Sequence, residues 1–196
     1  TASTGNAASS LASICASENK KALIFVPEKV PKAKLLQMKL YGAEVIKVKG
    51  TYDDAFKLSI EYTLYHSGLN RNTAYNPYTI EGKKTAGLEI FSDNQMKVPD
   101  VILIPVGDGV IISGVYKAFY DLYKSGMTER MPRLICVQAE KSNAIDNFYH
   151  TGKYSDAENP VTIADSISVK SPSNAYMAVE SIKRTNGESI LVSDEE

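Results

Sequence analysis

Two short stretches of this 196-residue chain carry residue types suited to holding an anion. The first is Ser3-Thr4-Gly5-Asn6, where two hydroxyls, a glycine and a carboxamide stand directly before a helical pattern. Hydroxyls and the free N–H groups of a helix start together suit a carboxylate or a phosphate. The same residues also suit plain N-capping, since Ser, Thr and Asn collect at helix starts. The second stretch is Pro105-Val106-Gly107-Asp108-Gly109-Val110-Ile111-Ile112-Ser113-Gly114. The apolar run Val101–Ile104 leads into it and a helical pattern, Ser113 to Tyr123, follows. Glycines let the backbone approach a ligand with no Cβ in the way, and the dipole of the following helix favours negative charge. The alternative is an ordinary strand-to-helix turn. No Gly-Lys-Ser/Thr follows, which excludes a Walker loop, and the glycine spacing is not that of a dinucleotide fingerprint. Asp108 suits a phosphate site only if its side chain points away. The two loops are expected to be halves of one site.

The elements that position these loops alternate. Asn6 to Ser17 reads as a helix, with Leu11 and Ile14 on one side. Ala22–Val26 is a continuous apolar run stopped by Pro27, the signature of a buried parallel strand. A helix over Lys32–Tyr41, a strand over Ala43–Val48 and a helix over Tyr52–His66 follow, the last opened by Asp53-Asp54 at its dipole-positive end. Leu69 to Thr79 lacks periodicity and reads as a loop or domain crossover. Beyond it come a helix over Glu81–Phe91 despite Gly82 and Gly87, strand Val101–Ile104, the glycine loop with its helix, and strand Arg133–Gln138. A polar stretch with a short helix around Asn143–Tyr149, a helix over Ala175–Arg184 and strand Ser189–Val192 complete the chain. The inferred class is α/β, parallel sheets with helices on both faces, in two α/β subdomains: a small one over 1–72 and a larger phosphate-binding one over 73–196.

Composition is that of a globular protein, 43% hydrophobic and 23% charged with a formal net charge of -1. No basic excess points to nucleic acid, and no apolar run reaches the roughly 20 residues of a membrane span. Cys15 and Cys136 read as reduced thiols in apolar surroundings, which suits a cytoplasmic setting. His66 and His150 stand apart without ligand partners, and no Cys/His spacing suggests a metal. Tyr116, Phe119, Tyr120 and Tyr123 fall at helical spacing and read as core and rim. Arg71 and Lys83 are cations that could meet a substrate phosphate, with solvated surface charge as the plainer alternative. Ser193 followed by Glu196 has capping-box spacing and announces a helix beyond the end. Together with the start at Thr1, inside a motif, it gives the expectation of a chain cut at both ends.

Taken together the motifs resemble a known family. Ser3-Thr4-Gly5-Asn6-Ala7-Ala8-Ser9-Ser10 is similar to the substrate loop of the threonine synthases, fold-type II pyridoxal-phosphate enzymes. Pro77–Thr85 resembles the family's segment that re-enters the large domain, and Pro105–Gly114 resembles its glycine loop for the cofactor phosphate. Val137–Glu140, Ala164–Ile167 and Val192–Glu196 match in the same order. The resemblance implies pyridoxal 5′-phosphate as cofactor and conversion of O-phosphohomoserine and water to threonine and phosphate, a carbon–oxygen lyase reaction. It implies that Asn6 bonds the cofactor's ring oxygen and that Gly107, Asp108, Gly109, Val110 and Ile111 wrap its phosphate. It further implies that Ser3, Thr4, Gly5 and Ala7 hold the substrate carboxylate, and that the full-length protein is a cytoplasmic homodimer without nucleic-acid or membrane partners.

The chain departs from the family pattern in places. Where the family loop commonly reads Gly-Asn-x-Gly-Asn, Val110 and Ile111 replace the last Gly-Asn. The family's Schiff-base lysine lies upstream of the Ser-Thr-Gly-Asn loop, hence before Thr1, and the Ser or Thr facing the pyridine nitrogen lies beyond Glu196. Lys20, Lys21, Lys83 and Lys84 sit in ordinary helix-end or surface contexts, so no catalytic lysine is assigned and the chain alone is expected not to turn over substrate. A threonine or serine dehydratase, a cysteate synthase and a non-catalytic α/β phosphate-binding domain are the alternatives.

Overall fold

The computed structural model describes residues 1–195, so the Glu196 end of the Ser193 capping box lies outside the described residues. The chain divides into two compact units, Thr1–Asn76 and Pro77–Glu196.

In the first unit α1 (Asn6–Ser17), β1 (Leu23–Pro27), α2 (Lys32–Leu40), β2 (Glu44–Val48) and α3 (Tyr52–His66) alternate. β1 and β2 pair in parallel, with Leu23 opposite Glu44 and Pro27 opposite Val48. Ala2 bridges β1 at Phe25, also in parallel. The two-residue period of β1 then decides which side chain meets which helix. Ile24 and Val26 join Ala8 and Ala12 of α1 and Leu35 and Met38 of α2. Phe25 points the other way, into a cluster with Ala2, Ala55 and Tyr62. Helices therefore cover both faces, and β1 is buried throughout its centre, as its uninterrupted apolar run requires. An acid in the first turn of α3 closes a capping box: Asp54 accepts from the Thr51 N–H at 2.7 Å while the Thr51 hydroxyl accepts from the Asp54 N–H.

The second unit holds α4 (Tyr78–Asp93), β3 (Val101–Pro105), α5 (Val110–Lys124), β4 (Arg133–Ala139), α6 (Ala144–Thr151), a 3-10 turn at Asp165–Ile167, α7 (Ala175–Arg184) and β5 (Glu188–Val192). Its sheet is parallel in the order β3-β4-β5, with Val101 opposite Arg133 and Ile135 opposite Glu188. α5 is the centre of the unit. Ile112, Ala118 and Phe119 are fully buried, and they pack with Ile104 and Leu134 of the sheet and Ile182 of α7. The aromatic row splits as core and rim: Phe119 is inside, Tyr120 stacks on Tyr116, and Tyr123 is exposed.

α4 and α5 approach closely because each offers a glycine. A Cβ on Gly87 would lie 2.5 Å from Ala118 Cβ, and one on Gly114 would lie 2.5 Å from Lys83 Cβ. A ring of ion pairs locks the same two helices: Lys84 and Lys117 each bond both Glu81 and Asp121 at 2.9–3.1 Å. Lys84, an ordinary surface lysine in the sequence reading, is thus a helix-pairing residue. The two cysteines also differ from the expectation of two apolar sites. Cys136 is fully buried, whereas Cys15 is partly exposed and lines a groove beside Leu11 and Phe25.

Candidate functional site

The glycine loop of the second unit is delivered by β3 and ends at the first turn of α5. Val106 still belongs to the sheet, its N–H donating to the Val137 carbonyl at 2.8 Å. From Gly107 the chain turns, and Gly109 takes φ +85°, a left-handed conformation that side chains other than glycine adopt only with strain. Both glycines are also required by space. A Cβ on Gly107 would stand 2.9 Å from the Ile167 Cα, and one on Gly109 would stand 2.9 Å from Ala178 Cβ and 3.0 Å from the Asn174 carbonyl oxygen. Among the described residues, no protein acceptor takes a hydrogen bond from the N–H of Gly107, Gly109, Val110 or Ile111. Backbone N–H groups left unpaired beside a largely buried helix start make an anion cradle.

Three carbonyls of the same loop are occupied. Val106 accepts from Gln138 Nε2 at 3.2 Å, Asp108 accepts from the Asn174 N–H at 3.2 Å, and Gly109 accepts from Ser113 Oγ at 2.8 Å and Asn174 Nδ2 at 3.1 Å. Asp108 resolves the sequence objection to an acid here, because its carboxylate accepts from the Ser173 N–H at 2.6 Å. The link from the 3-10 turn into α7, which carries Ser173, is moored in turn: Ser171 Oγ and Tyr154 Oη both donate to Asp156, at 2.7 and 2.9 Å. Burial, together with the bond to Asp156, pushes the Tyr154 phenol up to about 12, so it stays a donor.

The first loop sits at the start of α1 in the other unit. Ser3 is tied to the sheet through its N–H, which donates to the Phe25 carbonyl, and Ser3 Oγ accepts from the Gly5 N–H at 3.4 Å. The Gly5 carbonyl caps the helix by accepting from Ala8 and Ser9, and no side chain caps α1. Asn6 is exposed. The N–H groups of Thr4, Asn6 and Ala7 meet no protein acceptor among the described residues. A Cβ on Gly5 would find nothing within 4 Å, so the protein itself does not demand glycine there.

What holds this loop in place escaped the sequence reading. Asn72 is fully buried; its Oδ1 accepts from the Ala2 N–H at 2.6 Å and the Thr1 hydroxyl at 3.2 Å, and its Nδ2 donates to Ser59 Oγ at 2.7 Å. Asn70 adds bonds to the Asn72 N–H and to α3, and Asn76 Nδ2 reaches the Asn70 carbonyl at 2.8 Å. The unpatterned stretch after α3 is therefore an asparagine brace that carries the strand leading into Ser3. Its signal was present as three asparagines in seven residues, but side-chain-to-backbone bonding leaves no periodicity to detect. Asn174 escaped in the same way. Arg71 lines the Cys15 groove, and the backbone of Lys83 packs on Gly114; neither cation is drawn to the loop of its own unit by any bond among the described residues. His66 stacks on Tyr62, and His150 lies 3.9 Å from Asp146. Among the described residues no cluster fits a metal ion, and no helix is long and apolar enough to cross a membrane.

Two α/β units, each presenting unpaired N–H groups at a helix start, define the class. The chain belongs to the pyridoxal-phosphate dependent enzyme family, whose model matches residues 1–196. Its fold is the fold-type II arrangement of that family. It is 37% identical over 202 residues to the threonine synthase of Methanocaldococcus jannaschii, covering all of this chain and 49% of that protein. It is 37% identical over 196 residues to the threonine synthase of a Bacillus species, again over the whole chain and 53% of the relative. Among solved structures it superposes on threonine deaminase isoform 2 from Solanum lycopersicum with a TM-score of 0.81 at 25% identity, covering 98% of this chain and 50% of that one. Maize serine racemase shares the fold, with a TM-score of 0.81 at 22% identity over 99% of this chain and 56% of that one. The chain spans about half the length of the curated relatives it matches. The cofactor of the family is pyridoxal 5′-phosphate, and the glycine loop fits its phosphate: the N–H groups of Gly107, Gly109, Val110 and Ile111 meet no protein acceptor among the described residues, and there is no room for side chains on Gly107 and Gly109.

Proposed function

We propose that this chain is part of a threonine synthase, acting on O-phosphohomoserine and water to give threonine and phosphate. The observation that carries the proposal is the set of N–H groups of Gly107, Gly109, Val110 and Ile111, which meet no protein acceptor among the described residues and suit a phosphate dianion. The 31–37% identity to curated threonine synthases across the chain supports the choice of reaction.

When bound, pyridoxal phosphate supplies an electron sink for the substrate's developing carbanion. The residues of this chain bind and orient. N–H groups of Gly107, Gly109, Val110 and Ile111 take the cofactor phosphate, each charge-assisted bond being worth about 1.5–3 kcal/mol. The α5 dipole adds to this. Asp108 keeps its charge turned toward Ser173. In the other unit, Ser3, Thr4 and the N–H groups of Gly5 and Ala7 take the substrate carboxylate, and the Asn6 carboxamide offers its N–H to the ring oxygen of the cofactor. The Asn72 brace keeps that loop from yielding when the anion binds. The same proposal makes the protein a cytoplasmic homodimer.

A second activity, deamination of threonine or serine, is favoured by the fold match to threonine deaminase. Assaying the polypeptide that contains this chain with O-phosphohomoserine, threonine and serine separates the two. Phosphate release with threonine formation is expected. Ammonia release from threonine or serine, with no reaction of O-phosphohomoserine, would replace the first proposal by the second.

A further inference from the structure

We infer that Asn174 is the positioning residue that aims the phosphate-binding N–H groups of Gly109 and Val110. The inference rests on the phosphate role proposed for this loop and concerns how the loop is kept ready. In a planar trans peptide the N–H of one residue points opposite the C=O of the residue before it. Holding a carbonyl therefore fixes the direction of the next N–H. Asn174 does this twice in succession. Its backbone N–H binds the Asp108 carbonyl at 3.2 Å, which directs the Gly109 N–H the other way. Its side-chain Nδ2 binds the Gly109 carbonyl at 3.1 Å, which directs the Val110 N–H the other way.

The second carbonyl is held by more than one donor. Ser113 Oγ donates to it at 2.8 Å and itself accepts from Asn174 Nδ2 at 2.7 Å, closing a triangle around the Gly109 oxygen. Ser113 is fully buried, so water does not compete for these bonds. The loop needs such support because glycine at φ +85° is free to rotate.

The use of Asn174 at its own helix is the independent observation. Asn174 occupies the N-cap position of α7, where an asparagine side chain ordinarily accepts from the N–H groups of the first turn. It makes no such bond here. Its amide is spent as a donor on a different helix's loop, 65 residues away. A residue kept only to stabilise α7 would be used in the opposite sense, as an acceptor.

The test is titration of the chain with inorganic phosphate, followed by amide NMR shifts of Gly109 and Val110, for the wild type, Asn174→Ala and Ser113→Ala. The wild type is expected to show both amides moving together. In Asn174→Ala the apparent phosphate Kd should rise about tenfold, which is ~1.4 kcal/mol. Ser113→Ala, which leaves the Asn174 bonds to the Asp108 and Gly109 carbonyls in place, should give a smaller rise in the same direction. In phosphate-free Asn174→Ala the Val110 amide shift should move, while Gly109, whose preceding carbonyl keeps the backbone N–H of residue 174, and amides elsewhere in the unit stay near their wild-type shifts, a pattern that loss of global stability would not give. Amide shifts that change across the unit with none localised to Val110 overturn the inference. Wild-type affinity in Asn174→Ala overturns it while leaving the phosphate role intact. Amides of Gly109 and Val110 that do not respond to phosphate in the wild type overturn both.

Discussion

Replacing Gly109 by alanine perturbs the loop in two ways whose sizes can be worked separately. At φ +85° the new Cβ meets the steric penalty of the left-handed region, about 1–2 kcal/mol for an L residue. The same Cβ would lie 2.9 Å from Ala178 Cβ and 3.0 Å from the Asn174 carbonyl oxygen, inside normal contact by several tenths of an ångström. Overpacking of that kind in a close-packed site costs about 1–3 kcal/mol. Neither neighbour is a flexible side-chain end, because Ala178 is fully buried on α7 and the Asn174 oxygen is backbone. The expected loss is thus about 2–5 kcal/mol, a large share of the 5–15 kcal/mol typical of a domain. Urea unfolding followed by far-UV circular dichroism reads it as a lower midpoint at unchanged slope. Gly5→Ala is the control. Its backbone is in the extended region and its Cβ would find nothing within 4 Å, so its midpoint should fall only by the loss of a better N-cap residue, up to about 1 kcal/mol, and less than that of Gly109→Ala. A Gly109→Ala midpoint equal to that of Gly5→Ala would refute the claim that fold geometry, and not ligand approach alone, demands glycine at this turn.

Two glycines of α4 should respond with opposite signs. Gly82→Ala, with open space around it, should raise stability by about 0.5–1 kcal/mol through helix propensity, whereas Gly87→Ala, 2.5 Å from Ala118 Cβ, should lower it despite the same propensity gain. Asn72→Ala removes the partners of the Ala2 N–H and Ser59 Oγ in a buried site and should cost about 2–4 kcal/mol in a urea titration, since unsatisfied buried groups cost about 1–3 kcal/mol each. Native protein treated with a thiol reagent at pH 8 should react at Cys15 alone, with Cys136 appearing only after unfolding, because burial pushes the Cys136 thiol up to about 12 and shields it from the reagent. The α4–α5 ion-pair ring should weaken in acid. The bonds from Lys84 and Lys117 hold the Glu81 carboxyl below its ordinary 4.5; at Asp121 burial works the other way, yet the same lysines still hold it below 3.8. Both groups therefore contribute fully above their unfolded values and lose that contribution as pH falls through the lower folded ones. A Lys84→Met variant should show a shallower fall of the urea midpoint with acid than the wild type, and 1 M salt should narrow the difference.

Much of this molecule was legible in the order of its residues. Ala22–Val26 is a continuous apolar run because helices cover β1 on both faces, and that pattern requires no tertiary information; Val101–Ile104 is equally apolar in sequence, yet Val101 and Leu103 of β3 are exposed. The helix start after Gly5 was legible because glycine and hydroxyl residues announce it locally, whereas the helical pattern read from Ser113 begins in the structure at Val110, directly after Gly109. Family membership came from the order of several such local motifs. What the tertiary structure alone decided is which groups the loops leave unpaired and which hold them. Asn72 and Asn174 act across 70 and 65 residues of chain, through single hydrogen bonds to backbone atoms that have no sequence identity of their own. Asp108 reads as an obstacle in sequence and becomes a brace once Ser173 is beside it. The glycines of α4 look alike in sequence, yet only the packing of α5 makes Gly87 necessary and leaves Gly82 free. Periodicity and capping are properties of neighbours along the chain; the direction of an N–H group is set by whatever the fold brings to the carbonyl before it.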